Sequence, residues 1–515
     1  MKTRALPIQA IVWLFTIIST APLLYLIWES IGLPKQSYDI LFSERTTTLF
    51  LNTGLLCVSV TALSALLAFP SAWLATYSKG LKKTIANIIG IMPIALPGYL
   101  MAYGWQSFVS SQGFAQKVLG ISLPSVDGFW GALFVLSLYC SSYFFLHIKN
   151  ALLKLDISQF EGARSLGLAP RKAFIKSILP QLYPSLFSAS FIVSLHVLGD
   201  FGVVGFMHYE TISMSLYTLY SSGGLKESYV LGAILLVIAF VLLTLQRKLT
   251  AKWSHNKSRK KFTSSAWKPT NRVLSVYSVI FFLLSVGIPS LSIVFWFLTP
   301  PQIENPYATE NLISAITNSL TVSSQTAIYG TLFLALPLAW YFKNSKSWLS
   351  KYTSTITQLN YALPPVALAL TFIMLSLTFL PFIYQTQWIL ITALIIHFFP
   401  EAISPVQNSM QKISKNIEEA SRSLGLSETK TLLKVTLPNV RNSLLFSFIF
   451  LFIATLKELP ITLILAPAGF TGLAAEVWDT TNEVLYAESA PFALSLLLIS
   501  IASSILLLSQ ERVGK

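Results

Sequence analysis

The sequence predicts an all-α membrane protein of about twelve transmembrane helices, arranged as two homologous six-helix halves. The composition, the long apolar stretches and an internal repeat each support this fold class. Of the 515 residues, 54 % are hydrophobic and 11 % are charged, whereas soluble proteins average about 25 % charged residues. A soluble chain of this size needs more polar surface. The same composition excludes a disordered chain and a disulfide-stapled secreted domain.

Twelve stretches meet the requirement of about 20 mostly apolar residues for a bilayer-spanning helix. The first follows the basic Met1–Arg4 segment, and we expect an uncleaved anchor because no small-residue cleavage site precedes the next span. Pro97 in the third stretch and Pro364 in the ninth both follow Ala-Leu, which predicts a bent helix at each. The stretches lie near residues 8–30, 47–77, 84–108, 127–148, 183–207, 228–246, 273–299, 313–342, 356–380, 386–405, 441–465 and 488–509.

The distribution of charge predicts that both termini are cytoplasmic. With the amino terminus inside, all but five of the 36 Lys and Arg residues fall on the cytoplasmic side, as the positive-inside rule requires. Acidic residues show the opposite bias, and a missed span would remove both trends. The net charge of +15 therefore reflects membrane topology. The five exceptions are Lys35, Arg45, Lys117, Lys226 and Lys457.

A basic segment at residues 247–272 separates the two halves, at residues 1–246 and 273–515. It contains nine basic residues and no acidic one. A nucleic-acid-binding arm is one interpretation. We favour a cytoplasmic linker held near anionic lipid headgroups, because polybasic segments beside a span bind such lipids.

An internal repeat lies in the loop before the fifth span of each half. The first copy, from Glu161, reads EGARSLGLAPRKAFIKSILPQLYPSL, and the second, from Glu419, reads EASRSLGLSETKTLLKVTLPNVRNSL. The copies align without a gap at an offset of 258 residues. Chance does not explain such agreement between two cytoplasmic loops. The matched pairs include Glu161 with Glu419, Arg164 with Arg422, Gly167 with Gly425, and Pro180 with Pro438.

Each copy is predicted to form two short helices joined at a turn. Gly167 and Gly425 can adopt positive φ where the first helix ends, and Pro180 is expected to end the second helix before the span begins. An amphipathic helix resting on the membrane is one interpretation. A docking element for a soluble partner is favoured, because a membrane-resting helix has no need to keep matching residues in two places.

These loops resemble the EAA motif of the transmembrane subunits of bacterial ABC importers. The pattern is Glu-Ala-Ala, three residues, Gly, nine residues, Ile, one residue and Leu-Pro. The resemblance implies that each loop is a coupling helix on one copy of an ATPase homodimer. It also implies the bacterial inner membrane and a periplasmic or extracellular binding protein that delivers the cargo. The matching residues are Glu161, Ala163, Gly167, Leu179 and Pro180 in the first copy, and Glu419, Ala420, Gly425, Leu437 and Pro438 in the second, with Gly162, Ser177, Ser421 and Val435 as departures.

Two acidic residues, Asp200 and Glu458, are predicted inside the fifth and eleventh spans, again 258 residues apart. Each lies about 30 Å along the helix from its loop proline. One interpretation is a helix cap, or an ion pair of Glu458 with Lys457. The functional interpretation is a pair of pathway carboxylates that face each other near the outer gate. We expect a local structural role for Glu401, and a packed polar role for His196.

The segments around these acids, GDFG and KELP, together with the fused architecture, most resemble the ferric-iron branch of these permeases. Carboxylate oxygens suit a hard cation. Permeases for thiamine, polyamines, sulfate or phosphonates share the same loop motif and stay open as alternatives.

The sequence contains no Gly-x4-Gly-Lys-Ser/Thr phosphate loop. We therefore expect no cofactor on this chain, and ATP-Mg on the partner ATPase. No motif supports an enzyme or a scaffold, and no nucleic-acid partner is expected. A secondary transporter of twelve spans is the main rival, but it does not explain the duplicated loops. The importer interpretation implies alternating access between the two halves.

Acidic residues in the outer segments are candidates for docking a basic surface of the binding protein. Solvated loop residues are the simpler interpretation of any single one. The candidates are Glu210, Glu476, Asp479 and Glu483, with Glu488 nearby.

Overall fold

A computed structural model describes residues 6–32, 42–156, 158–253, 271–303, 306, 308–345 and 347–513. In these residues the chain forms helices and no strands, which confirms the all-α class. Ten of the helices there are long and apolar enough to cross a membrane, and two bent helix pairs raise the number of spans to twelve if each pair counts as one. Met1–Arg4 and residues 254–270 of the predicted linker lie outside the described residues.

The first sequence half consists of long apolar helices separated by short ones. Its spans agree with the predicted stretches to within several residues at most ends. In chain order the helices are α1 (Leu6–Ile31), α2 (Glu44–Tyr77), α3 (Gly80–Ala95), α4 (Gly98–Val109), α5 (Phe114–Lys117), α6 (Gly128–Leu152), α7 (Ser158–Ser165), α8 (Pro170–Gly199), α9 (Gly202–Phe206), α10 (Ile212–Ser221) and α11 (Leu225–Trp253).

The second half repeats this order, including the short helices that precede and follow the fifth span of the half. The helices are α12 (Arg272–Phe297), α13 (Ala308–Asn344), α14 (Trp348–Ala362), α15 (Pro365–Phe379), α16 (Gln387–Lys412), α17 (Lys415–Ser423), α18 (Glu428–Thr431), α19 (Leu432–Leu456), α20 (Pro460–Leu465), α21 (Leu473–Asn482) and α22 (Tyr486–Val513).

The predicted bends at Pro97 and Pro364 are full breaks. Helices α3 and α4 meet at 91°, and α14 and α15 meet at 111°. The residue before each proline, Leu96 or Leu363, has extended backbone angles, because the proline ring excludes the helical region for its predecessor. The matched breaks place a chain reversal of the same kind in each half.

Four π-helical turns interrupt the described spans, and each ends two residues before a proline. A proline has no N–H and clashes with the carbonyl of the preceding turn, and a π-turn relieves that clash without ending the helix. The prediction that Pro180 ends a helix before the span is therefore wrong, because α8 continues through it. The π-turns are Phe174–Ile178, Leu283–Gly287, Tyr329–Ala335 and Leu432–Thr436.

The described helices pack into two compact units that do not follow the order of the chain. The carboxyl-terminal unit comprises residues 1–41, 216–236 and 301–515, so it includes α1. Within it, the Asn360 amide donates to the Ser19 carbonyl at 2.8 Å, and the hydroxyls of Thr16 and Thr353 lie 2.7 Å apart. The first helix of the first half is therefore anchored on helices of the second half.

The amino-terminal unit comprises residues 42–215 and 237–300, and it includes α12, the first helix of the second half. The indole of Trp105 on α4 donates to the Leu284 carbonyl at 3.1 Å, and the Ser107 and Ser292 hydroxyls lie 2.7 Å apart. Each unit thus contains the first helix of the other half. The predicted half boundaries describe the sequence repeat and stay a prediction.

Candidate functional site

The two repeated loops have the same turn geometry. In the first loop α7 ends at a Schellman motif, in which the Leu168 N–H donates to the Ala163 carbonyl at 3.2 Å and the Gly167 N–H to the Arg164 carbonyl at 3.0 Å. Gly167 has φ +81° and Gly425 has φ +83°. The positive φ expected at both glycines is confirmed.

The second loop repeats these contacts 258 residues later. The Leu426 N–H donates to the Ser421 carbonyl at 3.2 Å. The Ser423 hydroxyl donates to the Glu419 carbonyl at 3.0 Å, as Ser165 does to Glu161 at 2.9 Å in the first loop. Two copies of one fold have therefore been preserved, down to their side-chain hydrogen bonds.

The tip of each loop presents one leucine to solvent. Leu166 is 85 % exposed and Leu424 is 84 % exposed. A Cβ built at Gly167 or Gly425 meets no atom within 4 Å, so the space beside each leucine is open. Exposing a leucine costs about 1.5–3 kcal/mol relative to burying it. Two such residues at matched positions form a repeated apolar surface.

The remaining predicted coupling residues are spread around these turns and do not form a pocket. Glu161 lies in the first turn of α7, where its charge complements the helix dipole. Glu419 lies one residue beyond the first turn of α17. The Arg164 guanidinium donates to the Leu168 carbonyl at 2.7 Å. The side chain of Arg422 lies outside the described part of the chain. Glu161, Arg164, Pro180, Glu419, Ala420 and Pro438 are exposed, and Ala163 is half-buried.

Asp200 and Glu458 lie at helix ends, although the sequence analysis placed them within continuous spans. The spans stop at Gly199 and Leu456 and short helices follow, so the expected ends near residues 207 and 465 are wrong. Asp200 Oδ1 accepts the N–H groups of Val203 and Val204 at 3.0 and 3.1 Å.

Glu458 makes the matching contact in the carboxyl-terminal unit. Its Oε1 accepts the Ile461 N–H at 3.1 Å, at the start of α20. Both acids thus cap the short helix that follows their span, which was one of the predicted alternatives. Glu458 also lines a small cavity with Ser319, Ser323, Thr462 and five further residues.

A second charged site, missed by the sequence analysis, surrounds Glu401 in the carboxyl-terminal unit. The Tyr361 hydroxyl donates to Glu401 Oε1 at 2.8 Å. The Lys457 ammonium interacts electrostatically with the same carboxylate. Helix α16 continues to Lys412, so Glu401 lies well inside it, whereas the predicted stretch at residues 386–405 placed Glu401 near its cytoplasmic end. In the sequence, Lys457 is one of the five exceptions to the positive-inside bias, and Glu401 is an acidic residue within a predicted span. Considering these two residues together could have revealed the site.

The matched positions in the amino-terminal unit hold no charged residue. Tyr143 aligns with Glu401, and Gly199 aligns with Lys457. The His196 ring stacks on Tyr139 at 5.0 Å between centroids and lies 5.7 Å from Tyr143. His196 is thus packed among aromatic rings, as expected. In the described residues, no three His, Cys, Asp or Glu side chains are grouped to hold a metal ion.

The predicted docking acids occupy two environments. Glu210 pairs with Arg45 at 3.6 Å, with both side chains largely exposed. Glu476 and Asp479 lie on α21 with Glu483 just after it, at spacings that place them on one face. Loss of solvation raises the pKa of Glu476, and the charge of Asp479 raises it further. The pKa of Asp479 is raised by the same loss and then by Glu483.

Comparison with known proteins supports a transport role. The family model for the binding-protein-dependent transport system inner membrane component matches the chain twice, over residues 64–255 and 331–513. The two matches agree with the predicted pair of homologous halves.

Three relatives extend this comparison. The chain is 28 % identical over 488 residues to the Fe(3+)-transport system permease protein FbpB 2 of Haemophilus influenzae, with 93 % of each chain covered. It is 26 % identical to the spermidine/putrescine permease PotC of Haemophilus influenzae, over 44 % of this chain and 86 % of that one. It is 27 % identical to the putative 2-aminoethylphosphonate permease PhnV of Salmonella typhimurium, over 48 % and 97 %.

With two family matches and the spans of a multi-pass protein, the chain belongs to the inner membrane components of binding-protein-dependent transport systems, and is a permease subunit of an ABC importer.

Proposed function

We propose that this permease imports ferric iron, that a separate ATPase homodimer drives it, and that a substrate-binding protein supplies its cargo. The observation that supports the cargo is the alignment with an Fe(3+)-transport permease over 93 % of both chains. The polyamine and aminoethylphosphonate permeases named above align with only about half of this chain. The carboxylates of Asp200 and Glu458 supply hard oxygen atoms that suit a trivalent cation.

The repeated loops support a topology with twelve crossings. If the bent pair α14–α15 is one span, six crossings separate the two loops, and both loops lie on the same side of the membrane. If the pair does not cross, five crossings separate the loops, and they lie on opposite sides. Loops that share one geometry are expected to meet the same partner on the same side. We therefore assign both loops and both termini to the cytoplasm. The crossings between the loops are α8, α11, α12, α13, α14–α15 and α16.

Each loop is proposed to engage one ATPase subunit, on which ATP-Mg binds. Leu166 and Leu424 supply matched apolar anchors, and burying each in a partner groove recovers the cost of its exposure. Closure of the ATPase dimer on ATP would draw the loops together and open the pathway outward, and hydrolysis would reset it.

On the outer side, the acidic face of Glu476, Asp479 and Glu483 is proposed to receive basic residues of the binding protein. The charge of Glu210 is compensated by Arg45, so we expect Glu210 to contribute less to this attraction. Electrostatic docking of this kind speeds association and weakens with salt.

The cargo is tested by uptake into proteoliposomes that contain this chain with its ATPase and binding protein. We expect ATP-dependent uptake of radioactive ferric iron, and no competition by spermidine or 2-aminoethylphosphonate. Uptake of either organic solute in place of iron would contradict the iron assignment and keep the importer class. Uptake without the ATPase would contradict the importer mechanism itself.

The coupling role is tested by replacing both tip leucines, as L166S/L424S. We expect the purified permease to keep its thermal stability, because neither side chain packs in the fold, and to lose affinity for the ATPase by about tenfold or more. The matched control is L498S, an exposed leucine on α22, which should leave ATPase binding unchanged. Equal ATPase binding by both variants would contradict the proposed anchors.

A further inference from the structure

The carboxylate of Glu401 lies where three segments of the carboxyl-terminal unit meet. Tyr361 belongs to the last turn of α14, just before the break at Pro364, and Glu401 lies within α16. Lys457 is the residue that ends α19, where the helix dipole favours a cation. A carboxylate and a phenol therefore meet within the helices, and the charge of a nearby ammonium acts on the carboxylate. Ionisable groups inside spans are costly and normally serve a pathway.

A polar face of α16 leads from this site to the end of the helix. Ser404, Asn408 and Gln411 follow Glu401 at intervals of three, four and three residues, which places all four on one side of the helix. All three are exposed in the fold. The Ser404 hydroxyl is satisfied within the helix, where it donates to the Pro400 carbonyl at 2.5 Å. Hydrocarbon cannot satisfy exposed amides such as those of Asn408 and Gln411, so this face of the span borders water or protein.

The chemistry of the site selects for positive charge. Carboxylate and phenol oxygens are hard donors, suited to hard metal cations. When no cargo cation is bound, the Lys457 ammonium compensates the charge of the Glu401 carboxylate. When a cation binds to this carboxylate, the ammonium repels the cation. Strong binding would stop transport, and this repulsion keeps the site weak enough for release.

We propose that Glu401 and Tyr361 form a transit site for a hard cation at the head of the polar face of α16, and that Lys457 is the resident counter-charge that the passing cation displaces. The proposal rests on the proposed function and names a cargo contact separate from Asp200 and Glu458, whose carboxylates also cap short helices. The amino-terminal unit has Tyr143 and Gly199 at the matched positions, so the charged site occurs once.

The first test measures uptake of ferric iron, and of gallium(III) as a redox-inert substitute, by the complete transporter. We expect E401Q to lower uptake about tenfold or more, whereas stimulation of the ATPase by loaded binding protein stays within about twofold. Y361F should lower uptake less, and E401D should keep part of it. The matched control is Y143F in the first half, which should keep near-normal uptake.

The double variant E401Q/K457M separates a cargo site from a structural ion pair. A cargo site predicts that uptake stays low, because the oxygen donor is still missing. Recovery of uptake in the double variant, or normal uptake by E401Q, would overturn the proposal. If the wild type itself takes up a different solute and no ferric iron, the proposed function fails, which is distinct from failure of the site.

The second test does not depend on the folding of Glu401 variants. In a background with Cys57 and Cys140 replaced by serine, S404C and N408C should react with a water-soluble thiol reagent, and gallium(III) delivered by the binding protein during turnover should slow the reaction. L498C, at an exposed apolar position on α22, is the control and should react slowly. Unreactive S404C and N408C would show that no water borders this face, and the proposal would be wrong.

Discussion

The two halves of the permease agree in backbone architecture and differ in the charged residues around Glu401. Both have a Schellman turn at a loop glycine, a π-turn before the loop proline, a proline break, and an acid that caps the next short helix. These duplicated features belong to loops and helix ends. Duplication is expected of parts that work in pairs against a symmetric partner such as the proposed ATPase dimer.

The charged residues around Glu401 are not duplicated. The charged pair of Glu401 and Lys457 in one half is replaced by Tyr143 and Gly199 in the other. A cargo makes a single passage and needs no second copy of its contacts. Under the proposed function, the features shared by both halves are candidate coupling elements, and the residues that differ between the halves are candidate recognition residues.

The largest expected effect tests the symmetric part. In G167V/G425V a β-branched residue is placed at φ above +80°, which costs about 1–2 kcal/mol per site and displaces the tip leucine. We expect loss of co-purifying ATPase and a drop in uptake of about tenfold or more. Asparagine tolerates this backbone region, so G167N/G425N is the control. Unequal losses in the two single valine variants would break the proposed equivalence of the loops.

The capping acids should show a smaller and equal effect in each half. Replacing Asp200 or Glu458 by alanine leaves backbone N–H groups without their acceptor and should lower the free energy of unfolding by about 1 kcal/mol. Thermal unfolding of the purified permease measures this, and D200N should recover most of it. Unchanged stability with abolished uptake would assign these residues to the pathway instead of the cap.

Docking of the binding protein should depend on pH through the acidic residues of α21. No matching acidic helix was predicted in the first half. The pKa values of Glu476 and Asp479 are raised, so both bind protons at a higher pH than ordinary carboxyls, which titrate near about 4. Affinity for a basic partner should therefore fall as the pH is lowered from 7 to 5. The dissociation constant of E476Q/D479N should be higher at pH 7 and nearly independent of pH. Parallel pH curves for the variant and the wild type would exclude these groups as the source.

The smallest effect concerns the departure from the EAA pattern at Gly162. A Cβ at this position meets no atom within 4 Å, and alanine is favoured over glycine inside a helix by up to about 1 kcal/mol. G162A should therefore stabilise α7 slightly and leave uptake unchanged. Hydrogen exchange of the α7 amides measures the change, and faster exchange would contradict it.

Much of the fold could be predicted from sequence, because the signals are local. Long apolar stretches and the positive-inside bias predicted the spans, and the repeat predicted the turns at Gly167 and Gly425. Proline predicted a bend at Pro97, and the structure has a full break there because the preceding residue is driven to extended angles. The same signal failed at Pro180, where a helix end was predicted. A π-turn lets the helix continue past this proline, and no local sequence pattern distinguishes a break from a π-turn.

The site around Glu401 could not be assembled from sequence, because its three residues come from different helices. Tyr361, Glu401 and Lys457 are brought together by tertiary packing alone. The repeat directed attention to matched acids, and matched acids proved to be helix caps. A second repeated pattern, Pro70 with Trp73 and Pro337 with Trp340, was also missed, although it has the same offset of 267 residues as the recognised pair Pro97 and Pro364.

The exchange of α1 and α12 between units has a consequence for biosynthesis. Thr16 and Ser19 bond to residues 337 and 341 positions downstream. At about 5–20 residues per second, a ribosome takes roughly 20–70 s to make those partners. During that interval the first helix must reside in the membrane without the Asn360 amide and the Thr353 hydroxyl that contact it in the fold, while the Thr16 hydroxyl keeps its bond to the Val12 carbonyl within the helix. Expressing the halves as separate polypeptides would leave each nascent unit without a helix that only the other message encodes.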